Sequence, residues 1–176
     1  MTTNAVKVGI CIAAAMVLTL GGCRKKADSI SPAVEEKTTA ADADAISIGW
    51  ITDFVAAQKK AVAEGKDLLI NFTGSDWCIW CKRLDAEVFN QKMFISEAQT
   101  KFVFVLLDFP SDTSGQTAEL QKQNKRLMGQ YDVQGFPTII LADAMGKPYA
   151  QTGYQEGGPM AYLQHLAELR LQRPAK

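Results

Sequence analysis

Three scarcities narrow what this chain can be. Lys and Arg total 19 and Asp and Glu total 19, so the formal net charge is zero. That leaves no basic surplus for nucleic acid, and long-range electrostatic steering does not choose its partners. Histidine occurs once, at His165 in the last predicted helix, where it is read as a surface or packing residue. A closed zinc site takes four ligands, so one histidine and one C-x-x-C do not build it, and no metal or other cofactor is expected. No internal repeat is visible. The one long apolar run, Val8 to Leu20, is too short to span a bilayer and has the length of a signal-peptide core behind the positive charge of Lys7.

Cysteine is scarce where it matters. Of the four cysteines, Cys11 lies inside the apolar run and Cys23 directly after it, in Leu20-Gly21-Gly22-Cys23. That tetrapeptide resembles the bacterial lipobox, an aliphatic residue and two small residues before a cysteine that is acylated and becomes residue one. On this reading residues 1–22 are a lipoprotein-type signal peptide and Cys23 carries lipid. The other reading makes Leu20-Gly21-Gly22 an ordinary small-residue cleavage site and Cys23 incidental. Both export the chain, and cleavage removes only Lys7 among the charges, leaving 18 basic and 19 acidic side chains. Residues 23–45 hold no aromatic residue and few large aliphatics, which predicts a disordered tether. About 22 flexible residues give it a root-mean-square reach of about 25 Å. The folded domain is expected over 46–172, with 173–176 as a C-terminal tail.

Within that domain the hydrophobic periodicity predicts a helix from Trp50 to Glu64 capped by Gly65, and a buried strand from Lys66 to Phe72. A helix follows from Cys78 to about Phe89, then a short one around Ser96 to Lys101, and the apolar strand Phe102 to Asp108. Thr117 opens a polar helix to about Gln130, with Leu120, Leu127 and Met128 as its apolar contacts. Thr138 to Ala142 and Pro148 to Thr152 are strands, the second at an edge. Gly157-Gly158-Pro159 starts a last helix with Met160, Leu163, Leu166, Ala167 and Leu169 on one side. This alternation predicts an α/β fold, a mixed sheet with helices on both faces.

The chemistry concentrates in Asn71 to Phe89, NFTGSDWCIWCKRLDAEVF. Cys78 and Cys81 are three positions apart at a helix start, so they share one side of the first turn. The upstream thiol sits where backbone N–H groups lack intrahelical partners and the macrodipole is positive, which favours its thiolate. Cys78 is therefore the expected nucleophile. Cys81, deeper and more shielded, is placed to resolve a mixed disulfide on Cys78. In an exported domain without another cysteine, this pair serves chemistry or metal rather than a disulfide framework.

The strand, the W-C-x-x-C helix start and the later Gly135-Phe136-Pro137-Thr138 together resemble the thioredoxin superfamily, over about Ile46 to Leu171. The resemblance implies a thioredoxin-like fold, a cis bond before Pro137 facing the cysteines, and backbone at Phe136 offered to an extended substrate. Gly153 also matches the family pattern. The wording FTGSDWCIWCKRL and the export signal resemble the DsbH-type periplasmic thiol-disulfide reductases. Two departures stand out. Thioredoxins carry a buried acid near Asn71, thought to move the proton of the resolving cysteine, and the turn here is one residue longer. Proton transfer at Cys81 is then expected to use water or a nearby acid such as Asp76.

By the same resemblance the expected partners are disulfide-bonded proteins and a membrane electron donor of the DsbD type, with the membrane itself held through lipid on Cys23, for a monomer in the periplasm. Trp77, Trp80, Phe136 and Pro137 are the expected substrate contacts, and Asn71, Asp76 and Lys82 the supporting residues. Thioredoxin sits near about −270 mV and DsbA near about −120 mV, a gap of roughly 7 kcal/mol. Ile79-Trp80 puts no histidine between the cysteines, which favours a reductase; an oxidase or isomerase is the alternative. A reading of another class, a tethered thioredoxin-fold binding or chaperone module, predicts that Cys78→Ser keeps client binding.

Overall fold

The computed structural model describes residues 49–174. The expected signal peptide, the lipidated Cys23 and the tether lie outside the described residues. Four strands form one sheet in the order β2-β1-β3-β4. β1 (Asp67–Thr73) runs parallel to β2 (Phe102–Asp108) and antiparallel to β3 (Thr138–Ala142), which pairs antiparallel with β4 (Pro148–Thr152). The central strand is buried along its whole length, as its unbroken apolar run requires. It begins and ends one residue later than predicted.

Side-chain alternation divides the interior into two cores. Leu68, Ile70 and Phe72 face α1 (Phe54–Glu64) and α4 (Ala118–Gln130), together with Val103, Val105, Leu107 and Ile140. Leu69, Phe104, Ile139 and Leu141 face the other way, toward α2 (Ile79–Leu84), α3 (Lys92–Ala98) and α5 (Gly158–Arg170). Helices therefore cover both faces, the expected α/β arrangement. Among the described residues no helix is long and apolar enough to cross a membrane.

Three helix readings are corrected. The first helix starts at Phe54, because the Asp53 carboxylate accepts the N–H groups of Val55 and Ala56 and caps it there. Trp50 and Ile51 are extended instead: Ile51 donates to Phe104 and accepts from Leu106, alongside β2. Trp50 thereby enters the core opposite Phe54, against Phe89 and Phe104. Val55 and Val62, counted as helical apolar positions, are exposed. The short helix lies at Lys92–Ala98 rather than 96–101, anchored by buried Phe94 and Ala98 at i,i+4. In α5 the buried seam is Tyr162 and Leu166, while Met160 and Ala167 are exposed.

α2 does not run on as a regular α-helix. From Asp85 to Phe89 it widens to i→i+5 bonding, with the Asn90 N–H reaching the Asp85 carbonyl at 2.8 Å. Val88 and Phe89 still reach the core shared with α3 and α5. The domain's lower end is tied by Asp67, buried at the start of β1. Its Oδ1 lies 2.8 Å from an Arg173 nitrogen and its Oδ2 accepts the Tyr149 hydroxyl and Arg170. The Arg173 contact is close but poorly aligned for a hydrogen bond, so it acts as a charge pair.

Candidate functional site

β1 delivers the chain to the site and a tight turn folds it back. Trp77 and Cys78 both donate to the Gly74 carbonyl, at 3.3 and 2.8 Å. Cys78 takes the N-cap of α2: its backbone is extended, and its sulfur accepts the Cys81 N–H at 3.2 Å. Cys78 and Cys81 form a disulfide, with Cα atoms 5.2 Å apart. Cys78 is 5% exposed and Cys81 1%. The upstream sulfur thus has an N–H aimed at it and the downstream one is sealed, an asymmetry that suits a nucleophile and a resolving thiol.

Two indoles flank the pair, each about half exposed. Trp77 is fixed by its Nε1–H donating to the Phe109 carbonyl at 2.8 Å and by an edge-on contact with Phe136, centroids 5.6 Å apart. It lies flat on Gly74, where an added Cβ would fall 2.4 Å from the ring, so only glycine fits beneath it. Trp80 stands on the other side against Tyr154, centroids 5.3 Å apart. The bond between Phe136 and Pro137 is cis. Gly153 lies against the Pro137 carbonyl, 3.2 Å from where its Cβ would stand. Phe136 thereby joins the Trp77 wall, and the Gly153-Tyr154 segment joins Pro137 to the Trp80 wall.

Asp76, offered by the sequence as an acid near Cys81, is engaged with the 108–112 loop. Its carboxylate accepts the N–H groups of Ser111 at 2.9 Å and Asp112 at 3.3 Å, and these bonds hold its carboxyl below the usual range. Ser75 donates both its N–H and its hydroxyl to Asp108, and Phe109 donates to the Thr73 carbonyl. The active-site turn is thus clamped to the 108–112 loop. Buried Asn124 on α4 and half-buried Gln116, just before that helix, brace the loop by donating to the Asp108 carbonyl. Lys82 reaches back over the turn, its Nζ donating to the Asp76 carbonyl at 2.7 Å. Its charge is therefore spent on the turn.

Asp85, which sequence reasoning did not single out, lies one helical turn beyond Cys81 on the same side. Burial, with Asp108 as a like-charged neighbour, pushes its carboxyl up to about 6. Asn71 and Thr73 share the face of Leu69, the one covered by α2. Both are 1% exposed, and Asn71 Oδ1 and Thr73 Oγ1 have no hydrogen-bond partner among the described residues. The sheet face under α2 therefore carries buried polar atoms at this end of β1. The i,i+4 spacing from Cys81 to Asp85 was the available signal; Tyr154, also missed, lies too far along the chain to leave one.

Comparison with known proteins agrees with this geometry. The model of the thioredoxin-like domain family matches residues 54–169. The disulfide bond reductase DsbH of Chlamydia pneumoniae is 33% identical over 119 residues, 68% of this chain and 70% of that protein. The thiol:disulfide interchange protein DsbD of Vibrio cholerae is 27% identical over 124 residues, 69% of this chain but only 19% of that longer protein. A solved DsbH oxidoreductase superposes with a TM-score of 0.65 at 28% identity, covering 81% of this chain and 96% of that one. With an N-capping cysteine, a buried partner, a cis-proline loop and a mixed four-stranded sheet, the chain belongs to the thioredoxin superfamily and, within it, to the DsbH-like proteins.

Proposed function

We propose that this protein is an exported thiol-disulfide oxidoreductase that reduces disulfides in client proteins. The observation that carries the reading is the asymmetry of the pair: Cys78 caps the helix with an N–H donated to its sulfur, and Cys81 lies one turn on, the more deeply buried of the two. In the reduced protein the Cys78 thiolate attacks one sulfur of a client disulfide, forming a mixed disulfide and releasing the other sulfur as a thiolate that takes up a proton. Cys81 gives its proton to Asp85, and its thiolate attacks Cys78. The second client sulfur leaves as a thiolate and is protonated, and the Cys78–Cys81 disulfide forms. Two electrons have passed to the client. A membrane reductant of the DsbD type restores the dithiol.

The direction rests on what stabilises the Cys78 thiolate. A strong oxidant needs heavy stabilisation of that charge, and here the support is a helix N-terminus without a histidine between the cysteines. Equilibration of Cys78/Cys81 against graded thiol-disulfide buffers tests it: a potential near about −270 mV supports a reductase, and one near about −120 mV makes the protein an oxidant. The half-exposed indoles suit a client-binding module as well. Insulin reduction that vanishes in Cys78→Ser excludes that reading; client binding and protection that persist in the same variant, without turnover in the parent, would establish it.

Export to the periplasm, with acylation of Cys23, belongs to the same proposal. Metabolic labelling with a fatty acid, lost in Cys23→Ser, is the expected result. Unlabelled parent protein in the periplasmic fraction would leave export standing and remove the anchor.

A further inference from the structure

The two walls beside the disulfide differ in chemistry. Trp77 is held by neutral groups, the Phe136 ring and the Phe109 carbonyl. Trp80 belongs to a charged cluster. The Arg83 guanidinium carbon lies 5.5 Å from the Trp80 ring centroid and 5.1 Å from that of Tyr154. Glu87 fixes this arrangement from both ends, accepting Arg83 Nε at 2.6 Å and the Tyr154 hydroxyl at 2.6 Å. Tyr154 in turn follows Gly153, packed on the Pro137 carbonyl. The cluster therefore joins α2 to the cis-proline loop, and a client lying across the disulfide has Trp80 beside its half-cystine. Ile79, 74% exposed, extends that surface.

The guanidinium decides what this surface accepts. An indole attracts a cation through the negative face of its quadrupole. Arg83, its charge balanced by Glu87, already occupies that interaction, so a client lysine or arginine placed against Trp80 finds the ring's cation site taken. A neutral ring or aliphatic chain does not need that site and keeps its dispersion and edge-to-face contacts. Without Arg83 the balance changes sign, because Glu87 and the nearby Glu156 are left beside an open indole. Lys82 does not compensate, since its ammonium is held over the turn on the Asp76 carbonyl.

Resting on the reductase reading, we propose that Arg83, held by Glu87 between Trp80 and Tyr154, is a specificity-determining residue. It makes the protein favour client disulfides with a neutral aromatic or aliphatic residue next to the half-cystine, and it denies that place to a cationic one. Arg83 does not touch the reacting sulfurs; it acts through the ring it covers.

The test uses three disulfide-linked peptide dimers that differ only in the residue after cysteine: phenylalanine, glycine or lysine. The prereduced protein is mixed with each, and second-order rate constants are measured for the unaltered chain and for Arg83→Ala. In the unaltered chain phenylalanine should exceed glycine by about three- to tenfold, and lysine should stay within about twofold of glycine. Arg83→Ala should lower the phenylalanine-to-lysine ratio by at least about fivefold, mainly by speeding the lysine peptide. Should the alanine variant lose its fold, Arg83→Met keeps the aliphatic stem, removes the charge and must give the same reversal. Equal rates for phenylalanine and glycine, or a ratio unmoved by loss of Arg83, overturn the assignment. Failure to reduce any of the three, glycine included, instead overturns the reductase reading on which it rests.

Discussion

Replacing Asp85 by asparagine tests the underside of the site in two independent ways. Burial and Asp108 raise the Asp85 carboxyl from 3.8 to about 6 in the folded chain. A shift of that size corresponds to about 3 kcal/mol if it is fully expressed, and partial exposure reduces the expected effect to about 1–2 kcal/mol. The sign follows from a folded value above the unfolded one. The protonated acid is tolerated, so its share of stability is fully present below about pH 4 and is lost as pH rises through about 6. Asp85→Asn keeps the shape and removes the charge. In urea titrations of the oxidised protein the variant should match the parent near pH 4 and exceed it by about 1–2 kcal/mol at pH 8. The same carboxylate must be ionised to accept the Cys81 proton, so insulin reduction by the parent should rise with pH through about 6, and that limb should disappear in the variant. A stability difference that does not change with pH would refute the desolvation argument. A rising limb that survives in Asp85→Asn would refute the proton-acceptor role even if the stability result held.

Three further outcomes are expected. Gly74→Ala places a methyl group 2.4 Å from the Trp77 ring, so the indole must leave Phe109 and Phe136; kcat/KM for a protein disulfide should fall by roughly three- to tenfold, and an unchanged value would show that Trp77 contributes nothing to client contact. Asp76→Ala frees the Ser111 and Asp112 amides, which should exchange hydrogen faster while those of β1 do not; unaltered exchange at Ser111 would mean the clamp does not hold the loop. Arg173→Ala leaves buried Asp67 with the longer Arg170 contact and the Tyr149 hydroxyl, and chemical denaturation should show a loss of roughly 2 kcal/mol, which a double change to Asp67→Asn and Arg173→Ala should partly restore.

Sequence reading succeeded where the deciding interactions are local and failed where they are not. β2, β3 and β4 lie where predicted because an unbroken apolar run or a Pro-led edge has one reading. Cys78 at a helix start follows from the apolar strand and polar turn just before it. Trp50 looked helical because its spacing to Phe54 is four. Its position was decided by Phe104 and Leu106, more than fifty residues on, which draw Ile51 into a bridge and leave Asp53 to cap the helix. Tyr162 is absent from the apolar side predicted for the last helix, yet it is fully buried, with its hydroxyl donating to the Gly153 carbonyl at 3.0 Å. That single bond lets a tyrosine serve as core.

The same division runs through the site and explains its missing acid. In a strand, the position under the cysteines is fixed by alternation, so an amide at Asn71 could be read at once as a departure from the thioredoxin pattern. Where the charge went could not be read, because three acids follow within the next stretch of chain and only tertiary contacts separate them. Asp76 is consumed by the 108–112 loop. Glu87 is consumed by Arg83 and Tyr154. Asp85 remains, one turn from Cys81, its carboxyl raised by burial and further by the like charge of Asp108. A carboxyl near 6 on the helix can exchange protons at neutral pH, which an amide on the strand cannot. On the proposed mechanism, the acid that serves the resolving thiol therefore stands on α2 rather than on β1.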